Sequence, residues 1–138
     1  MAVPCGVHLD HIAHAVRDLE AAVAWYEDGL GGQVVHREVV ERDGIEEAFL
    51  ELGDGFVQLL CPTREDSPVA RFLQDHGEGL HHVAYRVNDC AAALHQAVTA
   101  GGVAIDTAPR PGSRGTTVVF LHPRSAFGTL IELVEEAK

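Results

Sequence analysis

The chain has 138 residues, and its 21 acidic and 10 basic side chains give a net charge of −11 with the nine histidines counted as neutral. Hydrophobic residues make up 46% and charged residues 22% of the chain, a balance that supports one globular domain and excludes a disordered or fibrous protein. The acidic excess argues against binding to nucleic acid or to an anionic membrane, because both need a positively charged face.

The lack of a targeting signal and the pattern of cysteines both predict a cytoplasmic protein. Met1 to Val7 contain no basic segment followed by an apolar run, and no stretch of roughly 18 apolar residues occurs in the chain. The three cysteines, Cys5, Cys61 and Cys90, are odd in number and widely spaced. This pattern predicts reduced thiols and neither a disulfide framework nor a zinc cluster.

The first half of the chain begins with the alternating segment HLDHIAHAV, which is typical of a half-buried strand. Asp18 follows at the position that caps a helix, and the Ala-rich run Leu19 to Glu27 has apolar residues at helical spacing. Gly31 and Gly32 are expected to end this helix. Three β-prone stretches follow, at about 33–41, 45–52 and 56–61.

The second half repeats this order. The segment LHHVAYRV predicts a strand, Asp89 a helix cap, and Cys90 to Thr99 a helix that ends at Gly101 and Gly102. Three further β-prone stretches are predicted at 103–106, 116–121 and 129–135. A short helix over Pro68 to His76 is expected to join the two halves.

A shift of 71 residues aligns the starts of the two halves, and seven of the eighteen positions from 9 to 26 are then identical to their counterparts. Between Gln58 and Glu132 the offset is 132 − 58 = 74, which indicates small insertions between strands. We therefore predict an α+β fold of two tandem βαβββ modules in a single domain, residues 1–138. Module one covers about 7–62, the linking helix about 68–76 and module two about 79–135. The two sheets are expected to lie side by side around a concave cleft that binds the ligand.

Four polar residues interrupt the apolar faces of the predicted strands, and the repeat relates them in pairs: His11 with His82, and Gln58 with Glu132. Two imidazoles, one amide oxygen and one carboxylate suit an octahedral divalent ion such as Co²⁺, Mn²⁺, Ni²⁺ or Fe²⁺, with two positions left for water or substrate. The alternative is that each is a hydrogen-bonded core or edge residue. The symmetric placement of all four favours the metal site.

The other histidines fit this site less well. His14 lies on the opposite strand face, and His81 competes with His82 but aligns with Asp10 in the repeat. Four others are expected at the surface: His8, His36, His76 and His95.

A second acid facing the cleft would allow proton transfer on two sides of a substrate. In the segment IEEAFLEL, Glu47 and Glu51 share one strand face, so either is a candidate. Periodicity does not choose between them, and solvated strand-face charge is the alternative for both.

Residues 107–131 contain no Asp or Glu but carry Arg110, Arg114 and Arg124, a local exception in an acidic chain. The loop APRPGSRGTT has backbone N–H groups and two of these arginines available to hold phosphates or a carboxylate. An ordinary surface loop is the alternative.

The chain resembles the methylmalonyl-CoA epimerases of the vicinal oxygen chelate superfamily, which also contains glyoxalase I. The resemblance runs over nearly the whole chain, from LDHIAHAVRDLEAAVAWYEDGLGG to FLHPRSAFGTLIELVE, and includes the signatures GEGLHH and FLHP. It implies the metal ligands His11, Gln58, His82 and Glu132. It also implies Glu47 and Glu132 as the two acid/base residues, so that Glu132 is both ligand and base.

The resemblance further implies interconversion of (2R)- and (2S)-methylmalonyl-CoA by loss and return of the C2 proton through a metal-stabilised enolate. The expected cofactor is Co²⁺, with Mn²⁺, Ni²⁺, Fe²⁺ or Zn²⁺ as alternatives, and the expected assembly is a homodimer. Two other functions stay open from the same fold. One is a glyoxalase I-like lyase or isomerase, and the other is a metal-free binding protein of the drug-resistance type.

Overall fold

The computed structural model describes residues 7–138, so Cys5 and the rest of the first six residues lie outside the described part of the chain. Contacts divide the described residues into two compact units, one formed by His11–His81 and the other by the residues up to Asp10 with His82–Lys138. The elements are β1 (His8–Ala15), α1 (Leu19–Leu30), β2 (Gln33–Val40), β3 (Ile45–Leu52), β4 (Gly55–Pro62), α2 (Pro68–His76), β5 (Gly79–Arg86), α3 (Cys90–Thr99), β6 (Arg110–Pro111), β7 (Thr117–Leu121) and β8 (Ile131–Glu135).

In the unit His11–His81, the strands are ordered β2-β3-β4-β1, with β1 parallel to β4 and the other neighbours antiparallel. Helix α1 begins where Asp18 accepts a hydrogen bond from the Ala21 N–H at 3.0 Å, and it ends at Gly31, whose φ of 73° suits glycine. One sheet face packs on α1 through an apolar core that includes Val23, Leu50 and Leu59. The other face carries a second apolar cluster, which includes Ala13, Leu60 and the α2 residue Leu73.

The unit that contains His82–Lys138 repeats this arrangement. Its strands are ordered β5-β8-β7-β6, and β5 is parallel to β8 as β1 is to β4. Asp89 caps α3 by accepting from the Ala92 N–H at 3.1 Å, and α3 packs on the sheet with Leu94, Val119 and Leu133 in the core. The predicted α+β fold of two βαβββ modules is confirmed.

One predicted strand is wrong. The stretch 103–106 makes only an isolated bridge between Ala104 and Leu121, and the strand in its place is the two-residue β6. Val103 donates its N–H to the Ser125 hydroxyl at 2.6 Å, so this donor is not available to a ladder. The Asp106 carboxylate accepts the Phe120 N–H at 2.8 Å, which uses a strand donor that a continuous ladder would need.

Two smaller expectations concern the thiols and the helices. Cys61 and Cys90 are free thiols, as predicted. Across residues 7–138, every helix is too short or too polar to cross a membrane.

Candidate active site

The face of the first unit that is turned away from α1 carries the predicted site residues. Gln58 on β4 lies directly across from Ala13 on β1 and from Phe49 on β3. Side chains that are paired across strands point to the same face, and so do residues two apart along one strand. His11, Gln58 and Glu47 therefore share one face.

Contacts on this face fix the side chains. The buried His11 ring stands edge to face on the Phe49 ring, with centroids 5.1 Å apart and planes at 83°. Gln58 donates from Nε2 to Oε1 of Glu47 at 3.2 Å. The amide orientation thus directs Oε1 of Gln58 away from Glu47, and that buried oxygen has no hydrogen-bond partner among the described residues.

Burial separates the two candidate acids that share the β3 face. Glu47 is only 1% exposed and lies across from Leu60, in the middle of the sheet. Glu51, four residues on, is exposed near the end of the strand. A carboxylate in an apolar interior is costly unless it has partners or a chemical role, and Glu47 is the one in that position.

The second unit has a matching face. His82 on β5 and Glu132 on β8 are both buried, and His82 Nε2 lies 3.3 Å from Glu132 Oε1. Phe120 on β7 is directly across from Glu132 and meets the His82 ring edge to face, with centroids 5.4 Å apart. Each predicted His therefore packs on a Phe that is the cross-strand neighbour of the other predicted ligand.

The two phenylalanines were missed in the sequence, although the repeat contained a signal for them. Phe49 and Phe120 are separated by 120 − 49 = 71 positions, the same shift that relates His11 to His82. The repeat is not fully symmetric. In the first unit, Glu47 pairs with the residue two positions after Gln58. In the second unit, Val118 pairs with Val134, the residue two positions after Glu132, so Val118 corresponds to Glu47. The second unit thus has an apolar residue there.

Most of the other histidines lie where the sequence predicted. His14 is on the α1 side of β1, where its Nδ1 is 3.2 Å from the Tyr26 hydroxyl, and the His81 ring packs on Phe72. The surface assignment of His36 needs correction. Its Nε2 is 2.8 Å from Glu38 Oε1, and the two half-buried side chains lie on the same face as Glu47, because β2 pairs in register with β3.

Two of the three arginines proposed for substrate binding already have acidic partners. Arg114 bonds to Asp10 at 3.1 Å, and Asp10 itself is 3% exposed. Arg110 lies 3.4 Å from Asp106, with its guanidinium 5.5 Å from the centre of the Phe120 ring. Arg124 is exposed and forms no ion pair with any described residue. The positive charge of this loop is therefore partly neutralised within the second unit.

Each of these faces presents donor atoms of the kind that divalent cations accept. The first unit presents an imidazole and an amide oxygen, and the second presents an imidazole and a carboxylate, all from buried side chains. The oriented Oε1 of Gln58 is the clearest sign, because an amide oxygen without a hydrogen-bond partner in an apolar interior is otherwise a cost.

Comparison with known proteins places the chain in a family. The model of the Glyoxalase/Bleomycin resistance protein/Dioxygenase superfamily matches residues 10–120. The ethylmalonyl-CoA/methylmalonyl-CoA epimerase of Cereibacter sphaeroides is 39% identical over 127 residues, which are 91% of this chain and 95% of that protein. The human mitochondrial methylmalonyl-CoA epimerase is 36% identical over 126 residues, 91% of this chain and 72% of that protein.

Solved structures agree with these relatives. The crystal structure of methylmalonyl-CoA epimerase from Mycobacterium tuberculosis has a TM-score of 0.91 at 38% identity and covers all of this chain and 94% of its own. A methylmalonyl-CoA epimerase in complex with methylmalonyl-CoA and NH4+ has a TM-score of 0.89 at 40% identity, with 95% of each chain covered. The chain therefore belongs to the glyoxalase/bleomycin resistance protein/dioxygenase superfamily and, within it, to the methylmalonyl-CoA epimerase family of isomerases.

Proposed function

We propose that this protein is a methylmalonyl-CoA epimerase, which interconverts the (2R) and (2S) forms of its substrate. One observation carries the proposal. In a chain that is 39% identical to an acyl-CoA epimerase over nearly its full length, Glu47 is a buried carboxylate held by the Gln58 amide. Such a fixed, water-excluded carboxylate suits proton abstraction next to a carbonyl.

The proposed metal ligands are His11, Gln58, His82 and Glu132, as the sequence predicted. The family suggests a divalent ion, and we propose Co²⁺, with Mn²⁺, Ni²⁺, Fe²⁺ or Zn²⁺ as alternatives. A bound ion supplies positive charge that stabilises the negative charge developing on the thioester oxygen. The Phe49 and Phe120 rings hold the two imidazoles in place.

The proposed chemistry is proton transfer on two faces of C2. Glu47 accepts the C2 proton, and the electrons of the broken C–H bond delocalise into the thioester to give an enolate. Protonated Glu132 then delivers a proton to the opposite face, and the roles exchange in the reverse direction. The bond from Gln58 fixes the position of Glu47, so the carboxylate needs little reorganisation as the proton moves.

We propose that basic side chains of the second unit bind the anionic groups of the CoA thioester. Arg124 is the first candidate because it is exposed and has no acidic partner among the described residues. Arg110 and Arg114 are the other candidates, and their guanidinium groups also bond to Asp106 and Asp10.

Solvent deuterium incorporation tests the function. Metal-loaded protein in D₂O is expected to introduce deuterium at C2 of methylmalonyl-CoA, measured by mass spectrometry. Glu47→Ala and Glu132→Ala are expected to abolish it, whereas Glu51→Ala, an exposed position on the same face as Glu47, is the matched control. Absence of exchange with the unaltered protein would refute the proposal. If the protein instead converts methylglyoxal with glutathione, the glyoxalase-like alternative is favoured.

The remaining proposals concern location and assembly. We propose a single-domain, cytoplasmic protein, for which the free thiols of Cys61 and Cys90 give support. We also propose a homodimer, since the outer strand β2 presents two half-exposed valines, Val35 and Val39. Light scattering is then expected to give twice the 14.8 kDa mass of the chain.

A further inference from the structure

A second group of metal-ligand side chains lies on the same face of the first unit as Gln58. His36 and Glu38 are two residues apart on β2, and Glu38 is directly across from Glu47 on β3. His36 Nε2 and Glu38 Oε1 are 2.8 Å apart. One ligand atom from each of the three residues lies within 4.8 Å of the other two.

The spacing suits one small divalent ion. Bonds of about 2.0–2.2 Å to nitrogen and carboxylate oxygen place the ligand atoms of one ion roughly 3–4 Å from one another. The three ligand atoms lie within 4.8 Å of one another, close to that range, and the side chains of His36 and Glu38 are half-buried. Glu47 is the fixed member, because it is buried and bonded to Gln58.

Charge also favours a cation at this place. Two carboxylates, Glu38 and Glu47, face each other across neighbouring strands, an arrangement that costs electrostatic energy when both are ionised. Arg37 points to the opposite face, where its guanidinium bonds to Glu20 at 2.8 Å.

We propose that His36, Glu38 and Glu47 form a second divalent-cation site, separate from the four-residue set, and that Zn²⁺ is the ion that it suits best. One imidazole and two carboxylates, with a water as fourth ligand, match the tetrahedral preference of zinc. The Phe49 ring, 6.2 Å from the His36 ring between centroids, packs beside the imidazole and supports its orientation. If the proposed function holds, an ion here occupies the carboxylate that accepts the substrate proton.

Zinc binding in the absence of substrate tests the site. Chelator-stripped protein is titrated with Zn²⁺ alone by calorimetry, and the bound metal is counted after desalting. His36→Gln and Glu38→Gln are each expected to lose one zinc equivalent, or to weaken that binding step at least tenfold. His95→Gln is the matched control, because His95 is an exposed histidine on α3. Unchanged stoichiometry and affinity in both β2 variants would overturn the site.

A second variant shows whether this zinc site is separate from the four-residue set. In a His11→Gln variant, which lacks one donor of the four-residue set, the equivalent that depends on His36 is expected to persist. Its loss in that background would overturn the proposal of two sites. Because this readout needs no substrate, failure of deuterium exchange would refute the epimerase function and leave the zinc result unaffected.

Discussion

Gln58 donates a hydrogen bond from its Nε2 to Oε1 of Glu47 at 3.2 Å. This bond joins the residue proposed to accept the substrate proton to a residue proposed to bind the metal ion. The amide nitrogen holds the proposed base, and the amide oxygen is thereby turned to where it can bind a cation. A Glu at position 58 would place a third carboxylate beside Glu47 and Glu38. Gln provides an oxygen ligand without that added charge.

Gln58→Ala is expected to lower both metal content and epimerisation. The variant loses one oxygen ligand and also the donor that positions Glu47, and losses of this kind usually cost about 10–100-fold. Metal analysis and kcat measured at saturating metal separate the two effects. Gln33→Ala, at an exposed position on β2, is the control. A variant with normal metal content and normal kcat would contradict both roles.

Phe49→Ala is expected to destabilise the fold by about 3–5 kcal/mol, because the ring is fully buried and supports the His11 imidazole. Phe120→Ala is expected to cost less, since Phe120 is only half-buried. Chemical denaturation measures both free energies of unfolding. Equal losses for the two variants would show that burial does not govern their contributions.

Asp10→Asn is expected to lower stability by about 1–3 kcal/mol, because it removes the charge that the Arg114 guanidinium bonds at 3.1 Å. Arg114 has a φ of 58°, an unfavourable conformation for a non-glycine residue, so the bond to Asp10 helps to hold the loop. Faster proteolysis within residues 107–116 is the second expected effect. Asp106→Asn serves for comparison. No change in either measurement would contradict an anchoring role.

The two described thiols are expected to differ in reactivity. Desolvation by burial, followed by the nearby Glu135 carboxylate, raises the pKa of Cys90 from 9.0 to about 11. The neutral Cys90 thiol therefore makes its full contribution to the stability of the fold below pH 9, and this contribution is lost as the pH rises towards 11. Burial also raises the pKa of Cys61, which is only half-buried. In a Cys5→Ser background, a thiol reagent at pH 8 is expected to label Cys61 first. Preferential labelling of Cys90 would contradict this.

Excess zinc is expected to inhibit the epimerase through the second site. An ion bound by His36, Glu38 and Glu47 makes the Glu47 carboxylate unavailable to the substrate proton. The effect is measured as the activity of each metal-loaded variant with added Zn²⁺, relative to the activity of the same variant without it. We expect zinc to inhibit the His95→Gln variant and to inhibit the His36→Gln variant at least tenfold more weakly. Equal inhibition in both would place the inhibitory ion elsewhere.

Much of the fold was predictable because the chain repeats itself. The repeat relates the strand pattern, the Asp caps and the glycine ends, at an offset of 71 that grows to 74 by the last strand, so independent local signals agree on the same two modules. The polar positions His11, His82, Gln58 and Glu132 were visible for a related reason. A polar residue on an apolar strand face stands out from the period-two pattern alone.

Other features depend on pairings that local patterns do not contain. Glu47 and Glu51 have the same periodicity, and only their places within the sheet bury one and expose the other. The bond between Asp10 and Arg114 joins residues 104 positions apart. The stretch 103–106 has strand propensity, but side-chain bonds from Ser125 and Asp106 compete with the ladder.

The sequence by itself determined the two modules and the strand faces, because both follow from periodicity and from the internal repeat. The metal ligands that it predicts stay a prediction. The tertiary structure decided which acid is buried, which arginines are neutralised and that His36 and Glu38 join Glu47. These outcomes follow from strand register and long-range contacts, which bring side chains together irrespective of their distance along the chain.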